Sequence, residues 1–240
     1  MSPERYQRIR DVLAKRQTDL TVCLENVHKP HNVSAIVRTC DAIGIHRVHT
    51  VWEEKYKLRG GTAMGSQQWV RVNNHDNITD AIGALKSQGM QVLVTHLSDD
   101  AVDFRDVDYS KPTAVLFGQE KYGVTDEAIA MADQDIVIPM VGMVQSLNVS
   151  VAAALVLYEA QRQRQIAGMY DIQHLDEEEC QRMLFEGGYP RLQKMCKRKN
   201  IPYPPIDKTG HIAADETWWQ QMQMSPAAIK ALNADEAADN

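Results

Sequence analysis

Alternation constrains this chain more than any other feature. Short, nearly continuous apolar runs at 20–24, 48–52, 69–72, 92–95, 114–117 and 136–138 are interleaved with helical patterns at 32–43, 77–88, 125–132 and 148–165. Runs that are apolar at both parities read as strands covered on both faces, and covering both faces requires crossover helices. The expected fold is therefore α/β, a mostly parallel sheet with flanking helices. A helix over 3–16 precedes it, with Pro3 near its start and Ile9, Val12 and Leu13 at helical spacing. Gly44, Gly89 and Gly118 punctuate element ends. After residue 165 the pattern changes to helices at 176–186 and 190–199 and an extended IPYPP stretch at 201–205. The last 15 or so of the 240 residues read as frayed.

Charge narrows the partners. The net charge of −6 argues mildly against nucleic acid, but the acids are concentrated: residues 171–179 hold five and no base, and 207–240 hold six against two bases. The bases cluster elsewhere, as Arg5, Arg8, Arg10, Lys15 and Arg16, as Arg162 and Arg164, and over 191–199. Such clusters can form a basic face for an anionic polymer, and they also read as solvated helix faces. No run approaches the ~18 apolar residues of a membrane span. The opening MSPERYQRIRDVLAKR carries charge where a signal peptide is apolar. Cys23, Cys40, Cys180 and Cys196 form no CxxC and no zinc spacing, so reduced thiols in a cytoplasmic protein are expected.

The usual nucleotide and hydrolase signatures are missing. There is no GxGxxG, GxSxG or HExxH; the one GxxxxG, Gly118 to Gly123, is followed by Val124 and Thr125 where a P-loop needs Lys and a hydroxyl. His28, His31, His46 and His49 offer no metal set and read as loop or surface residues.

Three other segments carry polar groups in places that packing alone does not require. In HKPHNVSAIVRTCDAIG (28–44), Asn32 is placed to cap a helix that carries Arg38 in an apolar stretch. In AVLFGQEKYGV (114–124), a strand runs into Gln119 and Glu120 between two glycines, at the strand end where α/β proteins bind ligands. In DIVIPMVGMVQSLNVSVAAALVLYEAQRQR (135–164), Ser146 or Asn148 can cap a strongly apolar helix.

Together and in this order, NVSAIVRTCDAIG, LFGQEKYGV and IPMVGMVQSLNVSVAAALVLYE resemble the three motifs of the SPOUT superfamily of RNA methyltransferases, in particular its TrmH branch. The likeness extends through RQTDLTVCLENVHKPHN and FEGGYPRL…KRKNIPYP, covering about residues 3–206. It implies a C-terminal deep trefoil knot, S-adenosyl-L-methionine as methyl donor, a homodimer, and 2′-O-methylation of guanosine 18 in the D-loop of tRNA. A relative acting on ribosomal RNA, or a non-catalytic RNA-binding module, is the alternative. By motif, the resemblance makes Asn32, Arg38, Glu120, Ser146 and Asn148 catalytic and lines the cofactor pocket with Thr95, Leu97, Gly118, Ile138 and Leu147, with no metal. Arg5, Arg16, Arg162 and Arg164 are expected to contact RNA. The implied division is a basic helix at 1–17, a methyltransferase domain at 18–165, an RNA-binding extension at 166–206 and an acidic, partly disordered tail at 207–240.

Overall fold

The computed structural model describes residues 1–27, 29–52 and 68–223. In chain order the elements begin α1 (Pro3–Ala14), β1 (Leu20–Glu25), α2 (Pro30–Ala42), β2 (Arg47–Val51), β3 (Arg71–His75), α3 (Ile78–Ser87), β4 (Gln91–Thr95) and β5 (Val102–Asp103). They continue with β6 (Thr113–Phe117), α4 (Asp126–Met131), β7 (Gln134–Val137), α5 (Val149–Ile166), α6 (Glu177–Gly188), α7 (Pro190–Lys199) and α8 (Glu216–Met222). The described residues group into two compact units: residues 16–172, and residues 1–15 together with those from 173 onward.

The larger unit is a seven-stranded sheet in the order β3-β2-β1-β6-β4-β7-β5, with parallel pairing throughout. The pleat sorts each strand between two cores. Val22, Leu24, Val115 and Phe117 face α2 and α5; Cys23, Ala114, Leu116 and Val92 face α3 and α4. All six residues of β1 are buried. Each large apolar side chain so covered stabilises by ~1.5–3 kcal/mol relative to exposure. Ala153 and Ala160 on α5, both fully buried, let that helix lie close to α2.

The edges depart from expectation. Instead of the apolar run at 69–72, β3 begins at Arg71 and alternates half-buried with exposed positions through RVNNH, as an edge strand can. The two-residue β5 has no apolar signature of its own. His46 and His49 are buried, not surface residues; His31 is exposed, and His28 lies outside the described residues. His49 stacks on His75, with ring centroids 5.1 Å apart and Nδ1 2.8 Å from Nε2. Burial first, then His75 and Arg47, hold the His49 pKa at about 4. All four cysteines are free and buried, and burial pushes the Cys23 thiol up to about 12.

Two of the arginines expected to contact RNA are enclosed within the protein. Arg164 is fully buried and spends its guanidinium on the Tyr109 and Lys111 carbonyls (2.9 and 3.0 Å), Gln17 Oε1 (3.0 Å) and Asp19 Oδ1 (2.5 Å). Arg16, also fully buried, bonds the Ile45 carbonyl at 3.0 Å and Asp41 at 2.5 Å. Both hold the amino-terminal ends of strands together and present no charge to a polymer. Arg162 is exposed and forks onto Glu159 one turn earlier.

The smaller unit packs around Phe185, whose ring meets Tyr189, Tyr203 and Trp218 at 5.9, 4.7 and 6.4 Å. Trp218 belongs to α8, a helix in the segment expected to be an acidic tail. Asp215 caps α8, and Trp218 Nε1 donates to the Pro202 carbonyl at 2.9 Å. The charge clusters of this unit follow the helix dipole: Glu177–Glu179 open α6, and Lys197–Lys199 close α7. Arg10 forks onto Glu177 at 2.8 and 2.9 Å, and Arg5 bonds the Gly187 carbonyl at 3.1 Å.

Candidate active site

Three strand-to-helix turns converge at the carboxyl ends of β1, β6 and β7. The first leads into α2. Pro30, with its φ already helical, takes the first position of α2, and Lys29 precedes it without a side-chain capping bond. Asn32 is therefore not the cap that its sequence context suggested. It sits inside the first turn, 8% exposed, with its amide available for tertiary contacts.

Those contacts are the other two turns. The Asn32 amide donates to Glu120 Oε1, and its carbonyl accepts from Asn148 Nδ2 at 3.2 Å. Asn148 caps α5 as expected, accepting from the Ser150 N–H at 2.8 Å. One residue from each motif segment thus enters a single network. Lys29, which sequence reasoning passed over, adds an exposed ammonium 3.6 Å from Glu120.

Beside this network lies a cavity of about 300 Å³. It holds all five residues expected to line a cofactor pocket: Thr95 and Leu97 after β4, Gly118 after β6, Ile138 after β7, and Leu147. Ser146 and Glu120 also line it, as does Gln145, which was not anticipated. The Thr95 hydroxyl donates to the Leu116 carbonyl at 3.1 Å, so toward a ligand it can only accept. Ile138, Leu147, Ala152 and Val156 contribute apolar lining and Gln145, Ser146 and Glu120 polar lining. Small-molecule sites combine the two in this way, and the volume is at the lower end of their ~300–1,000 Å³ range.

Arg38 stands apart. It is exposed on α2, lies in neither the cavity nor the network, and makes no hydrogen bond or ion pair among the described residues. Its stem is not buried among Ile36 and Val37, which face the core. Among the described residues, no group of three or more His, Cys, Asp or Glu could hold a metal.

A parallel sheet covered on both faces, with a mixed cavity and a polar network at the carboxyl ends of its strands, defines a ligand-binding α/β protein. The particular kind follows from its relatives. The pattern of the SpoU rRNA Methylase family matches residues 19–158, and that of the SpoU rRNA methylase C-terminal region matches residues 162–215. The chain belongs to the SpoU methylase family. It is 62% identical to the tRNA (guanosine(18)-2′-O)-methyltransferase of Escherichia coli K12, over 93% of this chain and 99% of that one. Among solved structures it resembles the Aquifex aeolicus TrmH/SpoU tRNA modifying enzyme, with a TM-score of 0.70, 45% identity, and 83% and 98% of the two chains covered. It also resembles an AdoMet-bound rRNA methyltransferase from Sinorhizobium meliloti, with a TM-score of 0.55 and 34% identity, covering 64% of this chain and 59% of that one.

Proposed function

We propose that the protein transfers the methyl group of S-adenosylmethionine to the ribose 2′-hydroxyl of guanosine 18 in tRNA. The observation that carries this reading is the 62% identity, across nearly the full length of both chains, to an enzyme named for that reaction. The cavity fits the donor. Its apolar lining suits an adenine ring, its polar lining suits the ribose and amino-acid groups, and Gly118, Ile138 and Leu147 would hold it. When bound, the donor supplies an electrophilic methyl group on a sulfonium.

The chain's residues supply the rest. Asn32 and Asn148 fix Glu120 at the cavity wall. Arg38, with five donors and no partner among the described residues, is available to an incoming phosphate and to the oxygen that develops charge as the methyl group is transferred. We assign it that electrostatic role rather than the role of general base, because a guanidinium gives up its proton poorly. Positioning the hydroxyl in line with the methyl group supplies much of the remaining acceleration.

Family membership supports a deep trefoil knot in the segment through α5 and a homodimer in the cytoplasm. The exposed Val151, Leu155 and Tyr158, which share one face of α5, support the dimer, as do the exposed Val141, Met143 and Val144 ahead of it, since exposed apolar side chains in such number suit an interface. A monomer by light scattering at micromolar concentration would remove the dimer. The activity is tested with labelled S-adenosylmethionine against bulk tRNA and rRNA, followed by mapping of the modified nucleotide. Label confined to 2′-O-methylguanosine 18 is expected; label in rRNA alone, or none, overturns the reading.

A further inference from the structure

The turn after β6 is built more firmly than lining a cavity requires. Gln119 and Gly123 exchange both backbone hydrogen bonds, at 3.0 and 2.9 Å. The clasp is so close that a Cβ on Gly118 would lie 2.1 Å from the Gly123 carbonyl carbon, and Gly123 itself has φ +71°. The exit is held from below by Glu25, 3% exposed at the end of β1. One carboxylate oxygen accepts the Thr125 N–H at 2.9 Å, and the other accepts the Thr125 hydroxyl at 2.7 Å. Gln119, Glu120 and Gly123 face the cavity.

Lys121 and Tyr122, the exposed tip of the turn, do not line the cavity. Tyr122 is 68% exposed, and the Lys121 ammonium stands 4.7 Å from its ring centroid. An ammonium covers at most one face of a ring; at this exposure the other is open. An open aromatic face with a cation behind it, on a turn clasped at both ends, is a preorganised platform. Bases stack on such rings, and phosphates neutralise such cations.

Resting on the reading above, we propose that Tyr122 stacks on a base of the RNA substrate next to the reacting ribose and that Lys121 binds a phosphate of the same strand. Glu25 is the positioning residue that holds this platform against the cavity. The platform adds a specific contact for single-stranded or splayed nucleotides, because a base within a duplex offers no free face.

The test measures steady-state methylation of tRNA transcript by Tyr122→Ala, Tyr122→Phe and Lys121→Ala, with S-adenosylhomocysteine titration, circular dichroism and light scattering on each. Tyr122→Ala should raise the KM for tRNA about 10-fold or more, within the range for loss of one stacked base. Tyr122→Phe should restore it, since the ring rather than the hydroxyl does the stacking. Lys121→Ala should lower the slope of log affinity against log salt by about one, and Tyr122→Ala should leave that slope alone. Cofactor affinity and oligomeric state should match wild type in all three. A wild-type KM in Tyr122→Ala overturns the platform; so does a lost dimer or lost cofactor binding in that variant, which would make the ring structural. Wild-type protein that methylates no tRNA at all would instead defeat the underlying reading of function.

Discussion

The larger unit treats its arginines in two opposite ways. At the amino-terminal end of the sheet, Arg164 and Arg16 are wholly enclosed and bonded to carboxylates and carbonyls just ahead of the strands. Arg38, in the second half of α2, instead reaches solvent with no partner among the described residues, outside both the cavity and the Asn32–Glu120 network. A residue satisfied within the chain stabilises it; a residue left unsatisfied is available to a ligand. The same side chain does either, and the burial and partners its position offers decide which.

That contrast can be broken by substitution. The largest effect is expected at Arg164→Ala, which strands the carboxylate of Asp19 and several buried acceptors. Denaturant unfolding should show a loss of about 3–5 kcal/mol. A loss below 1 kcal/mol would mean that the amino end does not depend on its arginine. Arg38→Ala and Arg38→Lys should both unfold like wild type yet lose at least ~100-fold in single-turnover methylation, because Lys cannot copy the planar fork. Near wild-type turnover in Arg38→Lys would return Arg38 to ordinary surface. Asn32→Ala should cost less, roughly 10-fold in turnover, since it holds Glu120 rather than the reacting group; a larger loss than at Arg38 would reverse the order of importance within the site. The smallest change belongs to Arg162→Ala, whose exposed pair with Glu159 contributes a few tenths of a kcal/mol. If it meets tRNA, the salt slope of binding should fall by about one. An unchanged slope makes Arg162 a helix-surface pair and nothing more.

The sheet was legible because its strands are apolar at both parities, so β1, β4 and β6 stand out from any polar surroundings. β3 was misplaced because an edge strand reading RVNNH has no apolar run to find. α8 was hidden by an acidic neighbourhood, although its paired tryptophans were a signal that the segment packs. In the site, the polar residues following strands could be read singly. The bonds joining Asn32 to Glu120 and Asn148 could not, since they close over 88 and 116 residues. Arg16 and Arg164 misled for the same reason: the partners that bury Arg164 lie 53 to 147 residues away. One clue was present, a lone carboxylate ending the buried strand LTVCLE, and it marked Glu25.

The position of β1 also has a consequence in time. It is the first strand made and lies inside the sheet, with β2 on one edge and β6 on the other, Leu20 opposite Thr113. β2 follows soon after on the chain, but β6 does not. At ~5–20 residues per second, the roughly 90 residues in between take about 5–20 s to synthesise. During that interval a strand that is wholly buried in the finished molecule holds one bare edge, open to any other extended chain. A newborn copy of this protein is therefore most vulnerable to mispairing before its 117th residue is made, and rescue by a holding chaperone would matter most in that window.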